Sequence, residues 1–99
     1  MQNKKEILDF LENNKELLKK QYHINKIALF GSFARDEQTN DSDIDVLIEM
    51  DKGIEHIHDN KEALKLFLSK AFNRSVDLAR EKYLKPYAKE QILKDAIYV

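Results

Sequence analysis

The sequence predicts an α+β fold, a small mixed β-sheet packed against helices, from three features of its hydrophobic pattern. Three short segments, at residues 26–30, 41–50 and 75–79, are apolar or alternate between apolar and polar side chains, which is the period of a strand. Longer segments carry apolar residues at spacings near three and four, which is the period of an amphipathic helix. The two kinds interleave as helix, strand, short helix, strand, helix, strand, helix, an order that suits helices laid on a sheet. Strand order and direction do not follow from it.

The first helix is expected over residues 4–20, where Ile7, Leu8, Phe10, Leu11, Leu17 and Leu18 share one face. Residues 26–30 are mostly apolar, end at Gly31 and give way to polar turn formers, so they read as a buried strand. A short helix opens at residues 32–35. In residues 41–50 Ile44, Val46, Ile48 and Met50 fall on one side and Asp43, Asp45, Leu47 and Glu49 on the other, so one face is core and the other carries acids. Asp59 and Glu62 have the spacing of a capping box before the stripe Ala63, Leu64, Phe67, Leu68, Ala71 and Phe72. Val76 and Leu78 then face one way and Asp77 the other in a third strand. Pro86 suits the first turn of a last helix carrying Ala88, Ile92, Leu93, Ala96 and Ile97.

Composition narrows the function classes. The chain has 99 residues, 42% hydrophobic and 35% charged, and is read as one domain over residues 1–99, with no room for a separate acceptor domain. A net charge of -1 argues against long phosphate contacts with a polynucleotide. The absence of cysteine excludes disulfides, thiolate zinc sites and a cysteine nucleophile. The N-terminus is charged, and no apolar run approaches the roughly 20 residues of a membrane span, so the chain is expected to be cytoplasmic and unprocessed, without membrane contact.

The chemistry gathers around Gly31-Ser32 and the acids that follow. A glycine closing a strand lets backbone approach a ligand, and the N–H groups of the helix start beyond it suit phosphate. Taken alone, such a pair is a turn and a helix cap. After ten intervening residues comes Asp43-Ile44-Asp45, two carboxylates on one side of a strand. Carboxylates so close repel, and hard oxygen donors on one face suit Mg²⁺, whose coordination is commonly completed by water and substrate phosphate. Taken alone, these acids would simply solvate an exposed face. Asp77 changes the balance, because an acid between Val76 and Leu78 lies on the same side if the two strands are neighbours. Three carboxylates there would make a two-metal site, with ions about 3.5 to 4 Å apart.

These residues resemble the nucleotidyltransferase superfamily related to DNA polymerase beta, and so its fold. Within it, GSFAR, SDIDVLIEM, VDLA and the tail from Pro86 to Tyr98 look like the minimal nucleotidyltransferases that serve as antitoxins beside helical HEPN-domain toxins, a similarity spanning residues 4–99. The resemblance implies that Asp43 and Asp45 bind two Mg²⁺ ions and that Asp77 joins the second and accepts the acceptor hydroxyl's proton. Gly31 and Ser32 would hold the ATP triphosphate. Arg35 matches a basic position that follows the Gly-Ser pair, with a surface or acid-paired arginine as its plain alternative. It further implies transfer of AMP from ATP to a tyrosine of the HEPN toxin, within a hetero-oligomer. At Asp36 many relatives have glycine, which leaves the loop over residues 36–42 open.

Two other functions remain open at this level. The chain could neutralise its toxin by covering it, or modify a small molecule or RNA end with another protein's help. His56 and His58 are too loosely spaced for a metal motif and read as polar residues before a helix. Tyr22, Tyr83, Tyr87 and Tyr98 read as core or rim, and Lys4-Lys5 and Lys19-Lys20 as a solvated helix face.

Overall fold

The computed structural model describes residues 2–99. The elements in chain order are α1 (Lys4–Asn13), α2 (Lys15–Tyr22), β1 (Ile24–Phe30), α3 (Gly31–Ala34), β2 (Ile44–Met50), α4 (Ile57–Phe72), β3 (Val76–Arg80), a 3₁₀ turn (Glu81–Tyr83), α5 (Pro86–Asp95) and β4 (Ile97–Tyr98). The four strands form one sheet in the order β3-β2-β1-β4. β1 is antiparallel to β2 and β4, and β2 is parallel to β3, so the sheet is mixed as expected. A parallel pair requires a crossover, and α4 supplies it between β2 and β3.

The alternation in β2 sorts its side chains as the sequence implies. Ile44, Val46, Ile48 and Met50 are buried, together with Ile27 and Leu29 of β1 and Val76 of β3. Ile7, Leu11, Leu18, Leu64, Leu68 and Phe72 from the helices complete this core. Each such aliphatic side chain contributes about 1.5 to 3 kcal/mol by leaving water. The other face is not uniformly wet. Leu47 and Ala28 are buried there too, since α5 packs on β1 and the 3₁₀ turn on β2.

The expected helix over residues 4–20 is two helices. Asn3 caps α1, its side chain accepting from the Glu6 amide at 2.9 Å. Asn14 ends it, with both its backbone amide and its side-chain Nδ2 donating to the Phe10 carbonyl, and α2 restarts at Lys15. The expected capping box is not formed either. α4 starts at Ile57 behind a left-handed His56 with no side-chain cap, which places Asp59 inside the first turn beside the positive end of the helix dipole. At the other end of the chain, Pro86 does open α5, but the helix stops at Asp95. Ile97 and Tyr98 leave it to pair with Leu29 and Ala28 of β1.

Asp36 takes φ +58, the left-handed backbone for which glycine is suited, and its carboxylate pairs with Lys4 at 2.9 Å. The loop therefore keeps a glycine-like path with an aspartate in it. Asp36→Gly would relieve about 1 kcal/mol of local strain but loosen the unfolded chain by a similar amount. Its melting temperature is expected to lie within about 5 °C of the parent, whereas the β-branched Asp36→Val should fall further, as thermal denaturation of the two variants would measure.

Candidate active site

The register of β2 and β3 sets the geometry. Ile44 pairs with Val76 and Asp45 with Asp77, so both acids point away from the core on adjacent strands. Asp43 lies one residue before β2 begins. On the other side of β2, Phe30 pairs with Asp45, and the next residue, Gly31, bends into α3. Gly31 adopts φ +76, and a Cβ there would come within 3.0 Å of Asp45 Cγ and 3.1 Å of its Cβ. Glycine is thus required twice, by its backbone conformation and by the carboxylate lying against it. Ser32 follows in α3, half-buried, its carbonyl accepting from the Glu37 amide at 2.9 Å.

The acids act on one another. Burial pushes the Asp45 carboxyl up, and the charges of Asp77 and Asp43 push it further, to about 6, with Arg35 pulling the other way. These are the first two causes by which a carboxylate becomes costly to ionise. Among the described residues no three Asp, Glu or His side chains are drawn into a closed cation cage. The acids stand side by side on an open sheet face, and their mutual repulsion is the property that a bound divalent cation would reverse. Carboxylate oxygens are hard donors suited to Mg²⁺, so the donor set fits it.

Arg35 takes the acid-paired arrangement. Its Nε donates to Glu37 at 2.8 Å and its Nη1 to Asp95 of α5 at 2.7 Å, and the two carboxylates hold its guanidinium above the ordinary range. Sequence reading did not find Asp95, which is sixty positions away from Arg35 and carries no local signal. His56 precedes α4 and His58 lies in its first turn. Tyr22 stacks against Phe67, Tyr98 donates to Glu81 at 3.2 Å, the Arg80 guanidinium lies over the Tyr83 ring, and Tyr87 is exposed.

Comparison with known proteins gives this arrangement a family. Residues 8–99 match the family model described as nucleotidyltransferase domain. The chain belongs to the nucleotidyltransferase family. A proposed protein adenylyltransferase of Methanocaldococcus jannaschii is 42% identical to this nucleotidyltransferase over 97 residues, covering 95% of each chain. Protein adenylyltransferase MntA of Thermococcus cleftensis is 29% identical over 96 residues, covering 95% of this chain and 93% of that one. A solved structure described as a proposed minimal nucleotidyltransferase superposes with a TM-score of 0.80 at 29% identity, covering 97% of this chain and 95% of the other, which ranks this chain with the minimal members. A toxin–antitoxin structure with AMP-PNP shares the fold at a TM-score of 0.66 and 23% identity, covering 98% of this chain and 72% of that one. Among the described residues no helix is long and apolar enough to cross a membrane.

Proposed function

We propose that this chain is a single-domain, cytoplasmic antitoxin that transfers AMP from ATP to a tyrosine hydroxyl of a cognate HEPN-domain toxin, with which it forms a hetero-oligomer. The reading rests on one observation, the pairing of Asp45 with Asp77 across β2 and β3 directly beside Gly31. Relatives named protein adenylyltransferase support the choice of AMP and of a protein acceptor. A structural neighbour described as a tri-AMPylated HEPN toxin in complex with MNT antitoxin shares the fold and supports the choice of partner.

Asp43 and Asp45 would hold two Mg²⁺ ions, with Asp77 joining the second. Bound there, the ions supply positive charge to the attacking and leaving oxygens of an in-line displacement. Gly31, lacking a side chain, lets the turn approach the triphosphate, and Ser32 holds it with its hydroxyl and backbone. Arg35 adds positive charge near Asp45, and its pairing with Glu37 and Asp95 fixes where that charge sits. The tyrosine oxygen attacks the α-phosphorus, the bond to the bridging oxygen breaks, and pyrophosphate departs. Asp77, exposed beside Asp45, takes the hydroxyl proton.

The test uses ATP labelled at the α-phosphate, Mg²⁺ and a HEPN protein encoded beside this chain. Label is expected on the HEPN protein, and on none of it when Asp43→Ala, folded as judged by circular dichroism, replaces the parent. Label recovered instead in a small-molecule or RNA fraction would reassign the acceptor. Toxin neutralisation undiminished by Asp43→Ala would replace transfer by simple covering.

A further inference from the structure

We propose that Arg74 is a positioning residue for Asp43, holding the acidic turn in register with the Gly31-Ser32 turn. The inference rests on the active-site reading above and adds a residue to it. Arg74 lies outside every motif around the site, in the three residues between α4 and β3. Its Nη1 donates to the carbonyl of Ser42 at 2.8 Å and to that of Asn40 at 3.1 Å. On the far side of Asp43, the amide of Ile44 donates to the carbonyl of Ser75 at 2.9 Å. Asp43 is therefore strung between two anchors, both supplied by the Arg74-Ser75 segment.

The anchors have a rigid base. Asn73 ends α4 in the left-handed conformation, its amide bonded to the Ser69 carbonyl, and Phe72 and Val76 on either side are buried in the core. The turn that Arg74 holds is itself closed: the Ser42 amide donates to the Thr39 carbonyl at 3.1 Å, and the Thr39 amide to Ser42 Oγ at 2.9 Å. Pinning its carbonyls thus fixes a unit, and with it the start of the chain into Asp43.

Arg74 also reaches the other half of the site. Its guanidinium carbon lies 5.2 Å from the centroid of Phe33, a fully buried ring in α3 one residue after Ser32. A cation over a ring face and charge-assisted bonds to two carbonyls fix the guanidinium from two directions. One side chain thus links the helix that starts at the phosphate turn to the loop that delivers the first acid. Groups that must share cations within fractions of an ångström require such support from outside the ligand set. Arg74 Nε is buried without an acceptor, so the side chain is held by its Nη1 bonds and its contact with Phe33 alone.

The experiment compares Arg74→Ala, Arg74→Lys, Asp43→Asn and the parent chain by two readouts that need no acceptor. The first is Mg²⁺ affinity by calorimetry in the presence of a non-hydrolysable ATP analogue. The second is amide hydrogen exchange. Arg74→Ala is expected to weaken Mg²⁺ about tenfold or more and to speed exchange at residues 41–44 by a similar factor, with β1 and α4 protection unchanged. Arg74→Lys, one atom shorter but still able to donate to both carbonyls from one nitrogen, is expected to recover most of both. Its recovery also guards against a global folding defect in the alanine variant. Arg74→Ala that holds Mg²⁺ within twofold of the parent and leaves exchange at 41–44 unaltered overturns the proposal, while loss of Mg²⁺ in Asp43→Asn keeps the active-site reading intact. Undiminished Mg²⁺ binding in Asp43→Asn sinks the active-site reading itself, and Arg74 as its support with it.

Discussion

Asp45→Asn is expected to abolish nucleotidyl transfer and, in the absence of metal, to make the fold more stable. Both outcomes have one cause. The Asp45 carboxyl is raised to about 6 by burial and by the charges of Asp77 and Asp43, from an ordinary value of 3.8. Because the folded value exceeds the unfolded one, the unfolded chain ionises first, and native stability falls as pH rises through the window from about 4 to about 6. Above it the fold carries the full penalty. Fully buried, such a rise would correspond to about 3 kcal/mol, but the side chain is partly exposed and screening leaves roughly 1 kcal/mol. Asparagine keeps the shape beside Gly31 without the charge. In EDTA at pH 7.5 its melting temperature should exceed the parent's by about 4 to 8 °C, and the advantage should shrink at pH 4. Adding Mg²⁺ and nucleotide should reverse the order, stabilising the parent far more than the variant. Transfer should fall by about a thousandfold or more, since losing several kcal/mol of charge stabilisation costs a factor of ten for each 1.36 kcal/mol. Melting curves at the two pH values, with and without Mg²⁺, together with labelled transfer, measure all of this. A variant no more stable than the parent in EDTA at pH 7.5 would contradict the electrostatic account.

How far such a site can be read from sequence depends on whether its causes are local. The acid face of β2 was legible because alternation is a local property: Ile44, Val46 and Ile48 must be buried together, which leaves Asp43 and Asp45 on the other side. The same rule set Asp77 against Val76, and the parallel register then makes Asp45 and Asp77 partners. The register itself was not legible, because it depends on α4 returning the chain beside β2. β4 was missed for the same reason. Ile97 continues the helical spacing of Ile92 and Leu93, and only the free edge of β1, far away in sequence, draws it out into a strand. The break at Asn14 falls in the gap between Leu11 and Leu17, where no apolar residue reports on the backbone. Leu47 shows a further limit: it stands on the acid side by alternation yet is buried, because α5 and the 3₁₀ turn cover the middle of that face. Arg35 meets Asp95 across 60 positions and Arg74 meets Ser42 across 32, and no periodicity carries information over such separations.

Gly31→Ala is expected to damage the protein more than any other exchange of one small residue for another in this chain. Two costs add. An alanine at φ +76 lies outside the conformations that side chains favour, at about 1 to 2 kcal/mol. Its methyl would also overlap the Asp45 carboxylate and press on its Cγ and Cβ, where Asp45 stands between its register partners Phe30 and Asp77. Either the turn opens or Asp45 leaves its place. Overpacking of this kind adds about 1 to 3 kcal/mol, so the melting temperature should fall by about 10 °C or more. If Asp45 and the Gly31 turn act as proposed, the functional loss should be larger than stability alone explains, because displacing either by about 1 Å costs about a hundredfold. At 15 °C, where the variant remains folded, transfer should be reduced by at least that factor, with the ATP requirement raised as well. Gly53→Ala is the matched control: Gly53 has a similar φ of +78 but nothing within 4 Å of an added Cβ. It should lose stability from backbone strain alone and keep its activity below its melting point. Equal loss of transfer in the two variants would show that strain, and not the contact of Gly31 with Asp45, sets the effect.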